Sequence, residues 1–145
     1  MDFVLDLSQW YVRNSRDRLK HGGEEDKAAA YCTLRNVLTE LSKVMAPFTP
    51  FVAEKVFQKV TGSESSVHLE EWPDVGDVQS TVLEDMAVAR KLVEMGHASR
   101  KEAKLPVRQP LASFAVTVDT LSDEHFAIVA AELNVKEVTV HKDVT

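Results

Sequence analysis

Leu7-Ser8-Gln9-Trp10-Tyr11-Val12-Arg13-Asn14-Ser15-Arg16-Asp17-Arg18 holds two aromatic residues and three arginines in about three helical turns. At about 100° per residue, Phe3, Val4, Leu5, Leu7, Trp10, Tyr11, Val12 and Leu19 sweep an apolar arc of roughly 220°. Gln9, Arg13, Arg16, Asp17 and Lys20 share a narrow polar stripe. Such a helix has a wide surface to bury and a thin basic ridge to show, and it sets the expectation of a helical bundle. An arc this wide needs neighbours on several sides. The rest of the chain offers only three further long helices, which is the expectation for a piece of a longer protein.

Working outward, Gly22-Gly23 breaks the pattern and lets the chain reverse into an antiparallel partner. Ala30, Leu34, Val37, Leu38, Leu41, Val44 and Met45 repeat at helical spacing, so a second helix is expected from about Asp26, as its cap, to Met45. Pro47 stops it, and Thr49-Pro50 reads as cap and first position of a third helix running to about Thr61. Residues 62–66 form a connector, followed by a short extended piece, Ser66 to Pro73, with Trp72 expected to pin it to the bundle. Thr81-Val82-Leu83-Glu84 has the spacing of a capping box and opens a fourth helix to about Arg100, with Leu83, Met86, Ala87 and Val93 inward.

The period then changes. Phe114, Val116 and Val118 alternate with Ser113, Ala115 and Thr117 as in a half-buried strand. Ser122 caps a short helix to about Leu133, and Val135 to His141 reads as a second strand that could pair in parallel with the first. The expected fold is therefore mainly α: an antiparallel bundle over residues 1–104, then a small α/β strand-helix-strand appendage over residues 105–145.

With 17 basic and 23 acidic residues, the net charge of −6 excludes a protein that coats nucleic acid indiscriminately. No apolar run reaches the length of a membrane span and no secretory signal is visible, so the expected location is cytoplasmic. Cys32 is the single cysteine and is expected to pack as a small hydrophobe. His21, His68, His97, His125 and His141 are scattered without metal-ligand spacing, and no nucleotide-binding or nucleophile motif occurs. No catalytic constellation, metal site or cofactor site is expected in this chain.

The basic residues fall into two groups. Arg13, Arg16, Arg18 and Lys20 lie on the first helix; Arg100, Lys101, Lys104 and Arg108, with Arg90 and Lys91 upstream, surround the end of the fourth. Brought together, they would make a local cationic groove on an acidic protein. Arginine suits RNA, because its planar fork pairs with phosphates and stacks on unpaired bases. Solvated helix ends are the alternative.

Four segments carry a family resemblance: Leu7 to Arg16; Ala46-Pro47-Phe48-Thr49-Pro50-Phe51-Val52-Ala53-Glu54; Ser66-Val67-His68-Leu69-Glu70-Glu71-Trp72-Pro73; and Val107-Arg108-Gln109-Pro110-Leu111 with Glu132-Leu133-Asn134-Val135-Lys136-Glu137-Val138. In that order they resemble the anticodon-binding region of the isoleucyl-tRNA synthetases, class I enzymes. The resemblance implies a longer enzyme that uses ATP and magnesium to join isoleucine to its tRNA. It also implies that this chain is a tRNA-gripping module packed with the catalytic domain of the same enzyme. The family's His-x-Gly-His and Lys-Met-Ser-Lys-Ser type signatures and its editing domain are absent, so the chain alone should be inactive. The ridge departs from the family in having Asn14 where an arginine is frequent, and Leu19 and Lys20 where an aromatic pair is frequent.

The resulting expectation is recognition of the anticodon stem-loop of isoleucine tRNA by Arg13, Arg16 and Lys20 with Arg100, Lys101, Lys104 and Arg108, while Trp10 and Tyr11 hold the helix. The alternatives are the equivalent region of a valyl- or leucyl-tRNA synthetase and a helical protein-interaction scaffold without RNA binding.

Overall fold

The structure is a computed structural model, and it describes residues 2–141. Two compact units divide between Val75 and Gly76. The expected boundary at Lys104 to Pro106 is not where they part, because the last long helix packs on the short helix that follows it and thus belongs with the strands.

In the first unit the amino-terminal helical stretch is interrupted. It consists of α1 (Asp2–Leu5), a π-helical turn (Asp6–Tyr11), α2 (Val12–Asn14) and α3 (Arg16–His21). The wide turn and the break at buried Ser15 depart from the uniform 100° step assumed from sequence. The apolar arc is only partly covered: Leu7, Trp10, Tyr11, Val12 and Leu19 are half-buried, while Phe3, Val4 and Leu5 are exposed.

After Gly22-Gly23 comes α4 (Glu24–Met45), which starts earlier than expected. Gly23 occupies the cap position, and Asp26 lies inside the helix, where its Oδ1 accepts two hydrogen bonds from Arg18 of α3, one from Nε at 2.9 Å and one from Nη2 at 2.6 Å. Asp26 therefore ties α3 to α4 and does not cap. Cys32 is exposed on α4, contrary to the expectation of packing, because the buried stripe passes through Ala30 and Ser42 instead.

Pro47 follows the last turn of α4, and α5 (Pro50–Thr61) begins with proline at its first position, where the missing N–H has no helical partner to lose. Thr49 precedes it without a side-chain cap; its hydroxyl turns back to the Met45 carbonyl, 3.3 Å away. Gly62 closes α5 with φ of 72°, a conformation that favours glycine. The core of this unit gathers Ala46, Ala53, Phe57 and Val67, with Met45 against it.

Val67 arrives in that core on a 3-10 turn (Val67–Leu69) where an extended piece was expected. What pins this loop is Glu54. Its Oε2 accepts from the Ser66 hydroxyl and from the Val67 N–H, both at 2.9 Å. Trp72, expected to be the pin, is 64% exposed.

The second unit starts with α6 (Ser80–Glu102), and Gln79 at its cap makes no side-chain cap bond, so the capping-box spacing is not used. Its inward face is Ala89, Leu92, Val93, Gly96 and Arg100; Val93 fits the expected face, whereas Leu83 and Ala87 are exposed and Met86 is half-buried. Then come β1 (Leu111–Val116), α7 (Asp123–Leu133) and β2 (Val135–Val140). The strands pair in parallel, with Leu111 opposite Val135, Phe114 opposite Val138 and Val116 opposite Val140. A parallel pair needs a crossover, and α7 supplies it. Phe114 and Val116 turn inward as their alternation indicated, although the strand ends before Val118. Ser122 holds the cap position of α7 as expected, but its side chain makes no cap bond; its hydroxyl lies 2.8 Å from His125 Nδ1.

Candidate nucleic-acid interface

The expected cations divide between the two units, Arg13, Arg16 and Lys20 in the first and Arg100, Lys101, Lys104 and Arg108 in the second. Arg13 ends α2, Arg16 starts α3 and Lys20 lies in the last turn of α3; all three are exposed. The register changes at the π turn and at Ser15 leave them on the solvent side. Arg18, grouped with them from sequence, belongs to the Asp26 pair, with both partners roughly half-exposed. That hydrogen bond holds the Asp26 carboxyl below its ordinary range and raises the Arg18 guanidinium further. Trp10 and Tyr11 are half-buried, which suits holding the helix.

In the second unit the structure separates residues that are adjacent in sequence. Lys101, Lys104 and Arg108 are exposed, but Arg100 is 5% exposed and turns inward. Its Nη2 donates to the Leu133 carbonyl at 2.6 Å and to the Asn134 carbonyl at 3.2 Å, and its Nη1 donates to the Pro106 carbonyl at 3.2 Å. An arginine enclosed by three carbonyls cannot also reach an RNA phosphate, so Arg100 leaves the set of surface cations. Sequence position alone placed it there. The corrective signal was its spacing of four from Gly96 and seven from Val93, the buried stripe of α6.

Lys104 stands where glycine is usual. After α6 the Lys104 N–H donates to the Lys101 carbonyl at 3.1 Å and the Leu105 N–H to the Arg100 carbonyl at 2.8 Å, the paired bonds of a Schellman end. Lys104 is the left-handed residue, with φ of 57°. A side chain is disfavoured there, and the exposed ammonium it carries is the one thing glycine could not supply.

The loop beyond is held as well. Asn134, left-handed at the end of α7, donates from Nδ2 to the Val107 carbonyl at 3.0 Å, and the Gln109 N–H donates to the Pro106 carbonyl at 3.0 Å. Among the described residues, Lys101, Lys104 and Arg108 enter no ion pair. The arrangement is three outward cations around a backbone fixed from beneath. It can bind an extended polyanion by charge and position, and it offers no nucleophile or acid–base pair.

Residues 1–116 match the family model described as the anticodon-binding domain of tRNA ligase. The chain belongs to that family. It is 41% identical over 152 aligned residues to an isoleucine--tRNA ligase of Clostridium acetobutylicum, a match that takes in 99% of this chain and 15% of that protein. An isoleucine--tRNA ligase of Deinococcus radiodurans is 43% identical over 94% of this chain and 13% of its own length. One of Chlamydia abortus is 40% identical over 97% of this chain and 14% of its own length. This anticodon-binding domain thus spans about one-seventh of the length of the relatives it matches. Among the described residues, no three His, Cys, Asp or Glu side chains converge to hold a metal ion, and no helix is long and apolar enough to cross a membrane.

Proposed function

We propose that this chain binds the anticodon stem-loop of an isoleucine tRNA, with Arg13, Arg16 and Lys20 acting from the first unit and Lys101, Lys104 and Arg108 from the second. The observation that carries this reading is the exposure of these six cations on a chain of the anticodon-binding family whose net charge is −6. An acidic protein gains RNA affinity only where cations are placed locally, and local placement favours one RNA feature over RNA in general.

The domain would serve a longer, cytoplasmic ligase that attaches isoleucine to tRNA. ATP and magnesium would act in the catalytic domain of that enzyme, and this chain alone would be inactive.

The test is binding of the 145-residue chain to an isoleucine-tRNA anticodon stem-loop across a salt series, with a scrambled loop as control. Phosphate contacts lower log affinity by about 0.7 to 0.9 per phosphate neutralised as log salt rises. Loop-selective binding that falls with salt, and that weakens on Arg13→Glu with Arg16→Glu, supports the reading. Unchanged affinity in that variant overturns the assignment of the first unit. Competition by valine and leucine tRNAs decides between the isoleucine enzyme and its relatives.

A further inference from the structure

The loop from Lys104 to Pro110 contains two prolines and a left-handed lysine, yet it is fastened from beneath by two side chains that never reach the surface cations. Arg100 grips the Pro106 carbonyl with Nη1 and the end of α7 with Nη2. Asn134 holds the Val107 carbonyl with its amide, while its own carbonyl accepts from Arg100 and from the Leu111 N–H at 3.1 Å. Leu111 is the first residue of β1, so one cluster ties the end of α6, the loop, the start of β1 and the end of α7.

We propose that Arg100 and Asn134 are positioning residues for RNA binding, holding the backbone so that Lys101, Lys104 and Arg108 meet successive phosphates as a preformed set. The inference rests on the reading of Lys101, Lys104 and Arg108 as RNA contacts and deepens it. A loop already ordered before binding loses little conformational freedom when the RNA arrives, whereas a loose one pays for its ordering out of the contacts it makes. Arginine suits the buried position because its planar fork spans carbonyls from two elements at once, which a lysine ammonium cannot match in geometry. Asn134 is suited to its place by two properties, tolerance of the left-handed conformation and an amide donor aimed at Val107.

These two properties can be separated. Asn134→Gly keeps the backbone conformation and removes only the amide, so it should fold; Arg100→Lys keeps the buried charge and loses the fork. The experiment measures binding of the 145-residue chain and its variants to the isoleucine-tRNA anticodon stem-loop RNA over a salt series, with folding checked by circular dichroism. Asn134→Gly is expected to weaken binding about five- to tenfold and to flatten the salt slope, though no surface charge has changed. In the background of Lys101→Ala with Lys104→Ala and Arg108→Ala, the same substitution should cost no further affinity, since the groups it positions are gone. A purely structural Asn134 would give equal losses in both backgrounds. Folded Asn134→Gly or folded Arg100→Lys with native affinity and slope, or equal losses of Asn134→Gly in both backgrounds, overturns the inference. If instead the Lys101→Ala, Lys104→Ala, Arg108→Ala variant binds as tightly as the native chain, the reading of those cations as contacts fails, and the inference falls with it.

Discussion

Gly96 lies against Leu133 so closely that a Cβ at position 96 would sit 2.6 Å from Leu133 Cδ2 and 3.1 Å from its Cγ. Leu133 is 1% exposed, and its side chain would have to be displaced from that buried position to admit the methyl group. Glycine inside a helix ordinarily costs about 1 kcal/mol relative to alanine, so Gly96→Ala would stabilise α6 if the site were open. Here overpacking opposes the gain. Gly96→Ala should destabilise the second unit by about 1–2 kcal/mol, read as a lowered urea midpoint. Leu133→Ala alone should cost about 2–5 kcal/mol, and the double variant should be more stable than the two losses summed. Additivity of the two would show that α6 and α7 do not meet at this pair.

Arg100 and Lys101 are neighbours in sequence with opposite fates. Arg100→Ala takes one donor from each of three carbonyls, of which those of Pro106 and Asn134 keep the Gln109 and Leu111 N–H groups, and should destabilise by about 2–3 kcal/mol. Lys101→Ala, at an exposed position, should change stability by no more than about 0.5 kcal/mol while weakening RNA binding and reducing its salt slope by close to one phosphate. Parallel thermal unfolding and RNA titrations check both. Equal stability losses would place both side chains in the same environment, against the structure.

What the sequence made legible, and what it did not, follows a physical division. Helix periodicity and proline placement located α4, α5 and α7 to within a few residues, because those signals arise within one element. The strand-helix-strand order was readable for the same reason. Capping bonds were not: Thr49 and Ser122 occupy the cap positions of α5 and α7 as expected but make no side-chain cap bond, and Asp26 and Thr81 lie inside their helices, since position in the sequence does not decide which partner a side chain takes. Arg100 failed likewise. A cation near a helix end looks the same from sequence whether it meets solvent or, as here, the carbonyls that end another helix. Resemblance recovered the family, but it could not say which member of Arg100-Lys101 faces outward.

The Arg18–Asp26 pair predicts a small pH effect with a definite sign. The hydrogen bond from Arg18 lowers the Asp26 carboxyl's pKa below its unfolded value. A depressed carboxylate contributes stability above its unfolded pKa and loses it as pH falls through the folded pKa, so the contribution disappears on acidification below the ordinary aspartate range. The pair is exposed, and solvent and salt keep its effect modest. A carbonyl-detected NMR titration should find Asp26 depressed in the native chain and returned to ordinary values in Arg18→Met. If Asp26 titrates alike in both, the pair does not persist in solution.

Glu54 connects two of the segments that carry the family resemblance, since it belongs to the Ala46-to-Glu54 run and accepts bonds from the start of the Ser66-to-Pro73 run. A carboxylate that accepts an N–H and a hydroxyl, while also holding Gln58 at 2.8 Å, does the work first assigned to Trp72. Removing it frees the turn that delivers Val67 to the core. Glu54→Ala should therefore destabilise the first unit by about 1.5–3 kcal/mol and speed amide exchange at Val67, while Trp72→Ala should do neither to a comparable degree. Glu54→Gln, which keeps an acceptor without the charge, should fall between native and alanine. Hydrogen exchange resolved at Val67 separates these outcomes: slow exchange in Glu54→Ala would mean that Val67 is held by its burial among Ala46, Ala53 and Phe57 alone, with the carboxylate incidental.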